Sequence, residues 1–121
     1  MKNRVMTVDD SASVRMMVRY SLKGAGYEVI EAVDGVDALE KLAETDIHAM
    51  IVDVNMPRMD GIEFVRKLRK IPGHQNTPVI MLTTEENRSR VEDGRAAGAS
   101  GWMVKPFSPE ELVNILKSVM S

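Results

Sequence analysis

Five short β-rich runs alternating with five longer segments of helical spacing predict an α/β fold: one doubly wound sheet of five parallel strands with helices on both faces. The alternation is the first observation behind this. The second is that capping and stop signals fall at the joins between segments. The third is chemical. Asp9-Asp10 follows the first run, Asp53 the third and Lys105 the fifth, so a parallel arrangement brings all four charges to one carboxyl edge. Open α/β sheets bind their ligands beyond that edge, at a topological switch point.

The first strand is expected over residues 4–8. A helix follows over 13–22, with Val14, Met17, Val18 and Leu22 on one face and Gly24 and Gly26 ending it. The second strand, 27–31, leads to a helix starting near Gly35, with Asp34 as its N-cap and Val36, Leu39 and Leu42 on one side. The third strand, 49–52, precedes a helix over 61–70 that turns Ile62, Val65 and Leu68 inward and stops at Pro72-Gly73. After the fourth strand, 79–82, the helical pattern over 85–97 is weak. Only Val91 and small alanines mark a core face, and Gly94 costs about 1 kcal/mol relative to alanine. The fifth strand, 101–104, is followed by Ser108-Pro109-Glu110-Glu111. Serine at N-cap, proline at N1 and glutamate at N3 make a capping box ahead of Leu112, Ile115, Leu116 and Val119.

A chain of 121 residues is long enough for one domain with a real core, so residues 1–121 are expected to form a single unit. A net charge of −2 argues against bulk nucleic-acid binding. The absence of cysteine excludes a disulfide frame and a thiolate metal site. No signal peptide or membrane span is legible, so a cytoplasmic protein is expected. Most of the ten methionines read as core filler.

Asp53 stands at the end of an apolar strand, where an aspartate can simply cap a turn. Its neighbours point further. Asp9 and Asp10 are consecutive and face different sides of their chain end. Three converging carboxylates repel one another unless a cation or proton lies among them, and Mg²⁺ suits such an oxygen set. His48 and His74 read as surface or boundary residues, which disfavours zinc or copper. Lys105 precedes Pro106-Phe107, a rigid apolar context that restricts its ammonium and raises the option of a cis peptide. Thr83 offers a hydroxyl at the same edge, although it or Thr84 could equally cap the following helix.

These landmarks taken together have a recognisable order. Val8-Asp9-Asp10, Asp34-Gly35, Asp53 with Asn55-Met56-Pro57 and Met59-Asp60-Gly61, Thr83, and Gly98-Ala99-Ser100-Gly101 before Lys105-Pro106-Phe107 run from end to end of the chain. The chain resembles the receiver domain of two-component response regulators, and most resembles the stand-alone receivers of chemotaxis. The resemblance implies a flavodoxin-like sheet of strand order 2-1-3-4-5. It also implies that Asp53 is the phosphoacceptor, taking a phosphoryl group from a sensor histidine kinase or a histidine phosphotransfer domain. Asp10, Asp53 and the backbone carbonyl of Asn55 would hold Mg²⁺, with Asp9 acting through water; Lys105 and Thr83 would engage the phosphoryl oxygens.

The resemblance further implies a switch in which Thr83 moves toward the phosphoryl group and an aromatic residue turns inward. That aromatic is Trp102, where relatives commonly carry tyrosine. The output face would include Arg88, Val91, Arg95 and Trp102, more basic than usual, and would suit an acidic protein target, the flagellar motor being one candidate. Asn55 and Glu85 would tune the phosphoryl lifetime toward fast turnover. The expected product is a monomeric signalling switch without an output domain, catalysing only its own phosphorylation and dephosphorylation.

Competing uses of the same chemistry are a phosphorelay intermediate and a phosphate sink. A Mg²⁺-dependent aspartyl-phosphate phosphatase of the haloacid dehalogenase type would need aspartate where Asn55 stands. A flavodoxin-type flavin module would need a Ser/Thr/Gly-rich loop after the first strand, where Asp9-Asp10 would repel the phosphate.

Overall fold

The computed structural model describes residues 3–120, apart from the side chains of Glu85 and Glu86. Five strands, β1 (Arg4–Val8), β2 (Glu28–Ala32), β3 (Ala49–Asp53), β4 (Val79–Thr83) and β5 (Gly101–Val104), form one sheet in the order β2-β1-β3-β4-β5. Every adjacent pair is parallel, and β1 beside β3 is the switch point where strand order reverses. The predicted strands are all present; β2, β3 and β4 each run one residue further toward the site than the sequence indicates.

Alternation along the strands sorts the side chains into two cores. Met6, Val8, Met50, Val52 and Met81 face α2 (Gly35–Leu42) and α3 (Gly61–Leu68), and α4 (Val91–Ala97) adds Ala97 to their edge. Val5, Ala49, Ile51, Ile80 and Leu82 face α1 (Ala12–Gly24) and α5 (Pro109–Met120). The doubly wound arrangement therefore follows from strands apolar on both sides.

Caps fix the helix starts that border the site. The Ser11 hydroxyl accepts from Val14 N, Asp34 from Asp37 N at 2.8 Å and Asp60 from Glu63 N at 2.8 Å. The capping box of α5 is complete: Glu111 N donates to Ser108 Oγ and Ser108 N to the Glu111 carboxylate, both at 3.1 Å.

The expected helix over 85–97 forms as two pieces, a 3-10 helix over Glu85–Arg90 and then α4. Glu85–Arg90 contains no apolar residue, so its first turns have no face to bury and take the tighter form. Thr84 holds the N-cap position, and its hydroxyl accepts from Asn87 Nδ2 at 3.1 Å. Thr83 is thereby released from capping and ends β4. The Lys105–Pro106 peptide is cis. Among the described residues no helix is long and apolar enough to cross a membrane.

Candidate functional site: an acidic pocket bridged by a lysine

The site forms where β1 and β3 end side by side, with Val8 in register with Val52. Asp9 leaves the sheet held by a bond from its own N to Ala32 O at 3.1 Å, and is fully buried; Asp53 is 6% exposed, while Asp10 faces solvent. One carboxylate oxygen from each of the three lies within 4.8 Å of the others. Lys105 Nζ bridges the two buried members, donating to Asp53 Oδ1 at 3.1 Å and Asp9 Oδ2 at 3.3 Å. Its own backbone N donates to Thr83 O at 2.7 Å, so the end of β4 sets where the ammonium can reach. Asp9 Oδ1 accepts from Ser11 N at 2.9 Å, which orients that carboxylate and starts α1.

Glycine at 61 is required by this geometry. A Cβ there would lie 2.2 Å from the backbone oxygen of Asp53, because α3 begins directly against the strand end and Gly61 N donates to Val54 O at 2.8 Å.

The electrostatics match the packing. Burial, then the charge of Asp9, push the Asp53 carboxyl up to about 6 from an ordinary 3.8; Lys105 opposes both, and Asp10 adds a smaller upward push. A single ammonium thus does not neutralise the cluster. The deficit is met by a proton or by a divalent cation. The donor set of hard carboxylate oxygens, open to water on the Asp10 side, fits Mg²⁺.

Thr83, 2% exposed, reaches only a long contact to Thr84 O at 3.3 Å. It lines a narrow crevice with Val54, Met81, Val91, Gly94 and Trp102. Trp102 is half-buried, and the Arg95 guanidinium lies over its ring, 4.5 Å from the centroid, while also pairing with Glu92 at 3.2 Å. Val91, Arg95 and Trp102 therefore share one surface; Arg88 is exposed on the 3-10 helix preceding it. Asn55 is exposed in the loop immediately after Asp53. The expected lifetime role of Glu85 lies outside the described residues.

Sequence reasoning missed two ion pairs at the border of the pocket. Arg58 pairs with Asp34 at 2.7 Å, and Arg90 with Asp60 at 3.3 Å. Partners 24 and 30 residues apart leave no local signal. Only the left-handed backbone of Arg58, next to Pro57, could have been suspected from turn chemistry.

The family model for the response regulator receiver domain matches residues 5–117. The chain belongs to this family. Among curated relatives the receiver is 40% identical over 119 residues to the chemotaxis protein CheY1 of Helicobacter pylori, spanning 97% of this chain and 96% of that protein. It is 38% identical over 115 residues to the protein PilG of Pseudomonas aeruginosa, spanning 95% and 85%. Among solved structures it matches the chemotaxis response regulator CheY4 of Vibrio cholerae with a TM-score of 0.92 and 46% identity, covering 98% and 99% of the two chains. The expected family, sheet order and likeness to chemotaxis receivers are thereby borne out.

Proposed function

We propose that this receiver is a phosphorylation-activated signalling switch with Asp53 as the acceptor. The observation that supports it most is the Lys105 ammonium bridging buried Asp9 and Asp53 at the carboxyl edge of the sheet. In the reaction a carboxylate oxygen of Asp53 forms a bond to phosphorus as the phosphorus–nitrogen bond of a donor phosphohistidine breaks, leaving an acyl phosphate. Lys105, whose Nζ donates to Asp53 Oδ1 at 3.1 Å, neutralises charge on the transferring group, so the protein contributes chiefly position and electrostatics. Asp10, Asp53 and the Asn55 carbonyl, with Asp9 through water, would hold Mg²⁺, which supplies further positive charge to the phosphoryl oxygens. Hydrolysis returns the free carboxylate, and Asn55, exposed in the loop after Asp53, tunes the rate of that step.

The switch uses the crevice beside Thr83. The weakly held hydroxyl is free to rotate toward a phosphoryl oxygen, which opens space for the indole of Trp102 to move in. Arg88, Val91, Arg95 and Trp102 then present a changed surface to a downstream protein of acidic character, in a chemotaxis-type pathway.

Trp102 is the sole tryptophan and reports on this directly. Its fluorescence is expected to change on adding Mg²⁺ and again on adding acetyl phosphate, with the second change absent from Asp53→Asn. Intact mass should show one phosphoryl group on the wild type only. A wild type that gains no phosphoryl mass in Mg²⁺ and acetyl phosphate would end this reading.

A further inference from the structure

The loop from Val54 to Asp60 carries the Asn55 carbonyl, and within its own sequence only Pro57 restricts the backbone. At its far end Met59 N donates back to Pro57 O at 2.7 Å, a three-residue turn centred on Arg58, whose φ is +67°. A residue with a Cβ is disfavoured there by about 1–2 kcal/mol, so the surroundings must hold it. They do so through the side chain. Arg58 donates from Nε to Oδ2 of Asp34 at 2.8 Å, its Nη2 lies 2.7 Å from the same oxygen as an ion pair, and Asp34 is only 5% exposed. The other oxygen, Oδ1, accepts from Asp37 N at 2.8 Å, so Asp34 is fixed to the start of α2 and cannot follow the arginine outward. The backbone N–H of Asp37 first, and Arg58 with it, hold the Asp34 carboxyl below its usual range, so the pair is charged at neutral pH.

The next residue locks in the same direction. Met59 is buried against Gly35, where a Cβ would come within 2.8 Å of its sulfur. The loop is thus pinned to α2 by Arg58 and Met59, and at its start by Val54, whose carbonyl oxygen accepts from Gly61 N. Asn55 lies between Val54 and Arg58.

We propose that Arg58 and Asp34 are a positioning pair for the cation site, holding the loop so that the Asn55 carbonyl is preorganised although neither side chain touches the ion. The inference rests on the Mg²⁺ pocket of the proposed function. It has a distinctive sign. Through charge alone, removing cationic Arg58 from the border of the pocket would tighten Mg²⁺, and neutralising Asp34 would weaken it. Through positioning, both changes weaken it.

The experiment is a titration of metal-free protein with Mg²⁺, following heat of binding and thermal midpoint. The proteins are wild type, Asp10→Asn, Asp34→Asn, Arg58→Ala, Arg58→Gly and the Asp34→Asn/Arg58→Ala double variant. Asparagine at 34 retains the N-cap of α2, and glycine at 58 relieves the left-handed backbone while removing the ion pair. Asp34→Asn, Arg58→Ala and Arg58→Gly should each raise the Mg²⁺ Kd by on the order of tenfold, with the double variant no worse than its parents. Arg58→Gly should do so without losing metal-free stability beyond the Arg58→Ala variant. Tighter or unchanged Mg²⁺ binding in both Arg58 variants, with normal binding by the wild type, would overturn the positioning role. A wild type that shows no saturable binding abolished by Asp10→Asn would instead overturn the pocket itself.

Discussion

Asp53 is held in a state that the fold tolerates and does not favour. Its carboxyl, at about 6 against an ordinary 3.8, takes up a proton on folding across that interval. The folded chain binds more protons than the unfolded one there, so stability falls as pH rises from about 4 to about 6. The contribution is fully present below 3.8 and lost above about 6. The shift corresponds to a penalty on the order of 3 kcal/mol at neutral pH. In metal-free buffer Asp53→Asn should therefore be more stable than wild type near neutrality, with the gap closing as pH is lowered through that window. Urea denaturation of both proteins across pH checks it; a wild type at least as stable as the variant near neutral pH would remove the argument. At this scale the charges were legible because each follows a strand. Asp34 was legible only as a cap, since its partner Arg58 lies 24 residues away, beyond α2 and β3.

The least regular element is the segment over Glu85–Ala97, where a polar 3-10 stretch gives way to a seven-residue helix. Gly94 is buried there, but its neighbourhood has room: a Cβ would meet Met81 Cγ at 3.7 Å, an ordinary contact. Gly94→Ala should stabilise the protein by up to about 1 kcal/mol through helix propensity, measured as a shifted urea midpoint at unchanged slope. A loss of stability would mean that the crevice needs to stay open. The surface of the same element carries the proposed acidic-partner preference. Using an acidic amphipathic peptide as probe, Arg88→Glu with Arg95→Glu should weaken binding to the phosphorylated protein, most strongly at low salt. Equal affinity in low and high salt for wild type and variant would remove charge from the account of that face. Sequence periodicity indicated one weak helix here. It could not show the split, because the choice between 3-10 and α geometry depends on what the first turn can bury against the sheet.

In the whole molecule, an open and solvated Asp10 beside two buried carboxylates leaves one side of the pocket accessible to water. An acyl phosphate formed there should be short-lived, lasting seconds to minutes, and intact-mass sampling after removal of donor measures it directly. Phosphorylated protein that persists overnight would contradict that lifetime. The sequence by itself determined the sheet, its crossovers and the approach of Asp9, Asp10, Asp53 and Lys105 to one edge. Alternating apolar runs and helix caps are local properties, and parallel connections leave strand ends nowhere else to go. Only the tertiary structure decided which carboxylate is buried and which is wet, that Lys105 spans two of them, that Arg95 covers Trp102 and that Arg58 reaches Asp34. Those outcomes depend on side-chain reach and desolvation between elements distant along the chain, and residue order alone does not encode distances of a few ångströms.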